Sequence, residues 1–338
     1  MDKIYARRRI LPREVAGEKQ AALEESIELR YQICYLFKAL GKQEKYKRLQ
    51  GVCDDPSWLM QQFAGMLDVP KYALMKTCPA VEGEDFSFFP LIYKEKVYSK
   101  VINCGDIRVT NCNDDSLITT LTGHTSEVRC LVLDDGKLYS GSRDRAIKIW
   151  NCSTDTLITT LEGHTYDVVC LTVNDGKLYS GSNDNTVKVW NCSNHTLITT
   201  LGVPDDENDE DGYVGHTGWV NCLTVHGGKL YSGSMDRTIK VWDCSTNKLI
   251  KTLTGHTGWV HLLTVHDGKL YSGSMDRTIK VWDCSDDTLI KTLEGHTGWV
   301  YCLTVHDGKR YSGSSGDNTI KIWDCGDYSL IAALSGHT

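Results

Sequence analysis

Apolar and β-branched residues arrive in short bursts through most of this chain, and the bursts keep a fixed cadence. The stretch "GHTGWVHLLTVHDGKLYSGSMDRTIKVWDCSDDTLIKTL" contains four of them, "VHLLTV", "KLYSGS", "TIKVWD" and "LIKTL", separated by the turn signals "HDGK", "MDR" and "CSDD". None is long enough for a helix, so each unit predicts four antiparallel strands. Gly-His opens such a unit at 123, 163, 215, 255, 295 and 336, giving steps of 40, 52, 40, 40 and 41 residues. The long step is a repeat of 40 carrying a twelve-residue insertion within "GVPDDENDEDGYV". A single four-stranded sheet cannot bury both of its faces, whereas sheets stacked radially cover one another.

Two units depart from the pattern. The first, "FSFFPLIYKEKVYSKVINCGDIRVTNCNDDSLITTL", has no Gly-His ahead of it and places Thr110 where the others have Trp. The sixth has one extra residue in "SGSSGDN", and the sequence then reads "GHT", the opening of a further unit. Two closures are open: six units joined directly, with His337 brought beside the first, or a longer product. Residues 1–80 have a different period. Leu29, Ile33, Leu36 and Leu40 form a helical stripe flanked by Leu23, Ile27 and Phe37 and ended by Gly41; "KQEKYKRLQ" continues as a second helix and "DDPSWLMQQFAGML" starts a third, with Asp55 as cap and Pro56 in its first turn. The organisation expected is a helical module over 1–80, a linker over 81–85 and a repeat domain over 86–338, the module either capping the repeat domain or serving as a docking and self-association element.

Composition narrows the function classes. The 338 residues are 41% hydrophobic, ample for a core, and the formal charge of −7 includes six carboxylates in "DDENDED" at 205–211, which argues against nucleic acid as a partner. The N-terminus has a basic run but no apolar segment of a secretory signal, and no stretch has the length of a membrane span, so the expected location is the cytoplasm, with the nucleus as the alternative. Of the fourteen cysteines, Cys112, Cys152, Cys192, Cys244, Cys284 and Cys325 close the same phrase in successive units, and Cys130, Cys170, Cys222 and Cys302 share a strand position with Leu262. The Leu exchange marks a small apolar slot, and no CxxC pair occurs, so free thiols are expected rather than zinc or bridges. "ENDEDG" begins like a calcium loop, but Gly218 stands where its final carboxylate belongs. No cofactor or metal is expected.

Gly-His at the start, Asp in the turn after "SGS", and Trp-Asp or Trp-Asn closing the third strand make residues 86–338 resemble the WD-repeat β-propeller family. The resemblance implies an all-β, six-bladed propeller of four-stranded antiparallel blades preceded by the small α-helical module. It also implies a hydrogen-bonded chain within each blade: His124, Asp144, Ser140 or Ser142, and Trp150, with Asp184 and Trp190, Asp236 and Trp242, Asp276 and Trp282, and Asp317 and Trp323 repeating it. Ser, His and Asp together invite a nucleophile hypothesis, but a catalytic set is unique and this one recurs at a fixed period, which is the mark of architecture. The chain is expected not to be an enzyme. His226, His266 and His306 precede hairpin turns and read as solvated.

Columns that vary among otherwise matched units are the candidates for function. Glu127 and Asp167 give way to Trp219, Trp259 and Trp299; two residues on the series runs Arg129, Val169, Asn221, His261, Tyr301; before the turn Asp it runs Arg143, Asn183, Met235, Met275, Gly316. By the resemblance, these three columns line the rim of the top face. An apolar half formed by Trp219, Trp259, Trp299, Met235, Met275, His261 and Tyr301, with Asn221 in the same variable column, then lies beside a charged half of Glu127, Asp167, Arg129 and Arg143, and these residues are the expected partner-binding set for a protein or peptide. The expected function is a non-enzymatic scaffold or adaptor, with the acidic insertion steering a basic segment of the partner. The alternatives are a substrate receptor of a ubiquitin ligase, since "LPREV" and "GVCDDPSW" resemble an F-box at longer spacing, and a G protein β-like subunit, each with the helical module as recruiting element.

Overall fold

The computed structural model describes residues 91–335, apart from 102, 113, 115, 204–213 and 307 and the side chain of His306. The expected helical module and linker, the acidic insertion and His337 lie outside the described residues. Among those described there are twenty-four strands and no helix, grouped as six sheets of four. The fifth sheet is typical: Val260–His266, Lys269–Ser274, Ile279–Asp283 and Leu289–Leu293 follow one another as an antiparallel meander. First strands of successive sheets are neighbours, so they line the axis, and the fourth strands lie outermost. The loop entering each first strand and the turn after each second strand therefore share one end, called the upper face below; the "HDGK" and "CSDD" turns share the lower.

The core is built between sheets rather than within them. Tyr231, Ile239, Val241 and Leu253 on the trailing face of the fourth sheet pack against Val260, Leu270, Trp282 and Cys284 on the leading face of the fifth. The same set recurs at the neighbouring seams, as the stacking argument requires. Each fully buried side chain of this kind contributes about 1.5–3 kcal/mol. The glycine of "KLYSGS" permits the close approach: a methyl group at Gly233 would lie 2.7 Å from both Val260 Cγ1 of the next sheet and Cys222 Sγ. That contact explains the apolar slot shared by Cys130, Cys170, Cys222, Leu262 and Cys302. Burial pushes the Cys130 thiol up to about 12, and the described cysteines are free. The sixth sheet's trailing face is covered less fully than the others: Leu334 is 47% exposed, while its counterparts Leu121, Leu161, Leu201, Leu253 and Leu293 are buried.

Candidate functional site

The polar chain within each blade is present in five copies. In the second sheet His124 places Nδ1 2.7 Å from Asp144 Oδ2 and Nε2 2.8 Å from Ser140 Oγ, and Trp150 Nε1 donates to the same oxygen at 2.9 Å. Of the two serines considered, Ser140 belongs to the chain; Ser142 instead donates to the Ser126 carbonyl and accepts from the Asp144 amide. Burial pushes the Asp144 carboxyl up, but hydrogen bonds from His124 and the amides of Thr125 and Ala146 outweigh it and hold the group at about 2. Asp184, Asp236, Asp276 and Asp317 are held well below the ordinary range by the same balance. The serines Ser140, Ser180, Ser232, Ser272 and Ser312 are fully buried, so no substrate reaches their hydroxyls. This constellation ties the upper loop to its sheet.

The variable column beside it has a different logic. Arg143, Asn183, Met235 and Met275 donate their amides to the carbonyls of Glu127, Asp167, Trp219 and Trp259 at 2.9–3.0 Å. The bond that recurs at this position is thus made by the main chain alone, which lets the side chain vary from blade to blade. Trp219, Trp259 and Trp299 are 47%, 39% and 43% exposed. Their loop is drawn in by glycine: a methyl group at Gly258 would meet the Asp276 amide nitrogen at 2.5 Å. Around the fifth and sixth sheets the rings form a continuous ledge, with Trp259 6.2 Å from His261, His261 4.9 Å from Tyr301, and Tyr301 6.0 Å from Trp299 between ring centres. Met235 and Met275 are half-buried beside their tryptophan columns.

A β-bulge places the third column. In each of the second to sixth sheets the register slips near the start of the first strand, as between Val260 and Leu262, leaving Arg129, Val169, Asn221, His261 and Tyr301 unpaired. Bulges re-aim side chains, and this one turns the column out of the ladder. Asn221 spends its amide on the next sheet, donating to the Val260 carbonyl at 3.1 Å. His261 is half-buried, burial depresses its pKa to about 4, and its Nε2 has no hydrogen-bond partner. It is therefore a neutral, largely apolar link in the ledge at neutral pH.

The charged half is internally paired. Glu127 faces Arg129 at 3.3 Å and Arg143 at 3.4 Å, and Arg143 also reaches Asp167 at 3.3 Å across to the third sheet. Exposed pairs of this kind add little stability but hold the arginines in place. Sequence reasoning passed over Tyr166, which is 61% exposed at the upper face. It occupies the column of Gly218, Gly258 and Gly298, one residue before the tryptophans, and an aromatic facing three glycines in aligned copies is the signal that could have found it.

Comparison with known proteins follows the same lines. The model of the WD40 family, described as "WD domain, G-beta repeat", matches residues 115–151, 155–191, 210–243, 247–283 and 287–324, together more than half of the chain. Four of the five matched units, those starting at 115, 155, 247 and 287, begin just before the fourth strand of one sheet and close with the third strand of the next, so each of these repeats joins two blades. Zinc finger CCCH domain-containing protein 62 of Arabidopsis thaliana is 49% identical over 53 residues, 14% of this chain and 13% of that protein. Human pleiotropic regulator 1 is 51% identical over 37 residues, 10% of this chain and 7% of that protein. The crystal structure of the computationally designed Ika8 protein superposes with a TM-score of 0.65 at 29% identity, covering 73% of each chain. No helix among the described residues is long and apolar enough to cross a membrane. Six four-stranded blades, the repeated His-Asp-Ser-Trp chain and the matched repeats together place this chain in the WD-repeat β-propeller family of protein-interaction scaffolds.

Proposed function

We propose that this propeller is a non-enzymatic scaffold or adaptor that binds a protein or peptide on its upper face, chiefly through Trp219, Trp259 and Trp299. One observation carries the reading: the fold engages this column through the main chain, by the carbonyls of Trp219 and Trp259 and by the ladder position of Trp299 opposite Ser315, yet three successive blades place a large, exposed indole there. Exposed aromatic clusters of this kind mark interaction sites, and a tryptophan that acts as an anchor contributes about 2 kcal/mol or more to a complex. The ledge through His261 and Tyr301 supplies apolar contact, and the Glu127, Asp167, Arg129 and Arg143 network supplies fixed charges beside it for orientation. The acidic stretch at 205–211 falls in sequence between the last strand of the third blade and the first strand of the fourth, and its charge favours a partner segment of basic character. The ligase-receptor and G protein β-like alternatives turn on residues 1–80, and no described residue favours either.

The test is a comparison of the proteins that co-purify from cells with wild type and with the triple variant Trp219→Ala, Trp259→Ala, Trp299→Ala. Loss of a specific partner from a variant whose melting is unchanged supports the upper-face reading. An identical set of partners rules that surface out.

A further inference from the structure

At the lower face a lysine reaches across each of the first four seams to a carbonyl of the next blade, and in two of those seams a tyrosine joins it. Lys96 donates to the Cys152 carbonyl at 2.9 Å and pairs with Asp155 at 2.7 Å, while Tyr98 Oη donates to both residues. Lys229 repeats this with the Cys284 carbonyl at 2.9 Å and Asp287 at 2.7 Å, joined by Tyr231. Asp155 and Asp287 occupy a left-handed turn position, φ 55° and 58°, where Asn247 and His195 stand in two other blades. A carboxylate thus neutralises the lysine in the first-to-second and fourth-to-fifth seams.

The fifth-to-sixth seam has lost the carboxylate and gained a cation. Tyr328 stands at the left-handed position, φ 66°, with Lys269 Nζ 5.4 Å from its ring centre. Arg310 replaces the leucine found in the four preceding blades at Leu138, Leu178, Leu230 and Leu270. Its side chain is fully buried, with the guanidinium carbon 4.3 Å from the Tyr271 ring centre and 4.8 Å from that of Tyr328. Nη2 donates to the Cys325 carbonyl at a long 3.4 Å, and Nε and Nη1 have no partner. Asp267, at the lower turn of the facing blade, is 83% exposed on its side chain and lies against His266 instead, and no carboxylate among the described residues pairs with Arg310. An arginine keeps its charge in any protein environment, and a buried guanidinium needs both a counter-charge and hydrogen-bond acceptors.

We infer that this seam is a binding site for a small monovalent anion of the halide or nitrate class, which takes the role that the Asp155 and Asp287 carboxylates have in the sister seams. Such an ion supplies the charge that no described carboxylate provides and accepts from Nε and Nη1. Arg310 is fully buried with the Tyr271 and Tyr328 rings close to its guanidinium, surroundings suited to a small ion rather than to a peptide or metabolite carboxylate. The site lies at the opposite end of the blades from the tryptophans, so it stands or falls independently of the upper-face reading.

The experiment is thermal unfolding of the full chain in sodium gluconate progressively replaced by sodium bromide at constant ionic strength. Wild type is expected to gain roughly 3–5 °C for each tenfold rise in bromide above its Kd. Arg310→Leu, which restores the sister residue, and Tyr328→Asp, which restores the sister carboxylate, are both expected to lose that dependence, whatever their starting Tm. Because the readout is the slope against bromide, a shift in basal stability does not obscure it. A bromide anomalous peak in hydrogen-bonding contact with the Arg310 guanidinium confirms the location. Equal slopes in wild type and Arg310→Leu, or no bromide-specific gain in wild type, overturn the proposal and leave water as the partner of those nitrogens.

Discussion

Replacing Ser272 with alanine deletes one oxygen atom on which three groups converge. His256 Nε2 lies 2.8 Å from it, Trp282 Nε1 donates to it at 2.9 Å, and the hydroxyl faces the Lys280 carbonyl at 3.5 Å. Ser272 is fully buried, so bulk water cannot take over these contacts, and two ring nitrogens are left unsatisfied. At about 1–3 kcal/mol for each orphaned group, the cost is roughly 2–6 kcal/mol. For a domain of this size, where 1 kcal/mol moves Tm by about 2–4 °C, the variant should melt roughly 5–20 °C below wild type. Ser285→Ala is the control, because that serine is exposed and bonds only within its own turn to Asp283. Calorimetric melting of both variants beside wild type measures the difference. If Ser272→Ala melts with the wild type and the control, the buried chain is not an architectural tie, and the reason for setting aside a nucleophilic serine goes with it.

Two further outcomes follow from the same geometry. Asp144 titrates at about 2 in the folded state, against about 3.9 for a free aspartate, and four sister aspartates are likewise depressed. A depressed folded pKa gives stability that is present above the unfolded value and is lost as pH falls through the folded one, so acid unfolding followed by circular dichroism should fall between about pH 4 and 2; a propeller equally stable to urea at pH 2 and pH 6 contradicts this. Gly233→Ala drives a methyl group against Val260 Cγ1 and Cys222 Sγ, and the urea midpoint should fall by an amount worth about 1–3 kcal/mol. An unchanged midpoint would show that the seam is looser than its packing implies.

The blades, their strand count and their stacking were legible because a 40-residue period repeats the same local signals. The His-Asp-Ser-Trp chain was legible for the same reason, but the choice between Ser140 and Ser142 was not. Both serines lie on one face of the strand, two residues apart, and only the three-dimensional register decides which one meets His124. The column of Arg129, Asn221, His261 and Tyr301 was found by its variability, whereas the bulge that takes it out of the ladder has no composition signal. Nor does sequence show that Glu127 and Asp167 would be spent on Arg129 and Arg143, since that pairing depends on distances between blades. Arg310 stood in plain view as the one charge in a column of leucines, and its burial became meaningful only with Tyr271 and Tyr328 placed on either side.

The most direct measurement is a binding isotherm for the partner recovered on wild type, repeated with Trp219, Trp259 and Trp299 changed together to alanine and with Tm recorded for both proteins. Upper-face recognition predicts a loss of affinity of at least about thirtyfold, the equivalent of one true anchor residue, with the melting temperature preserved. Superimposable isotherms from two equally stable proteins would show that the indoles are not where this propeller holds its partner.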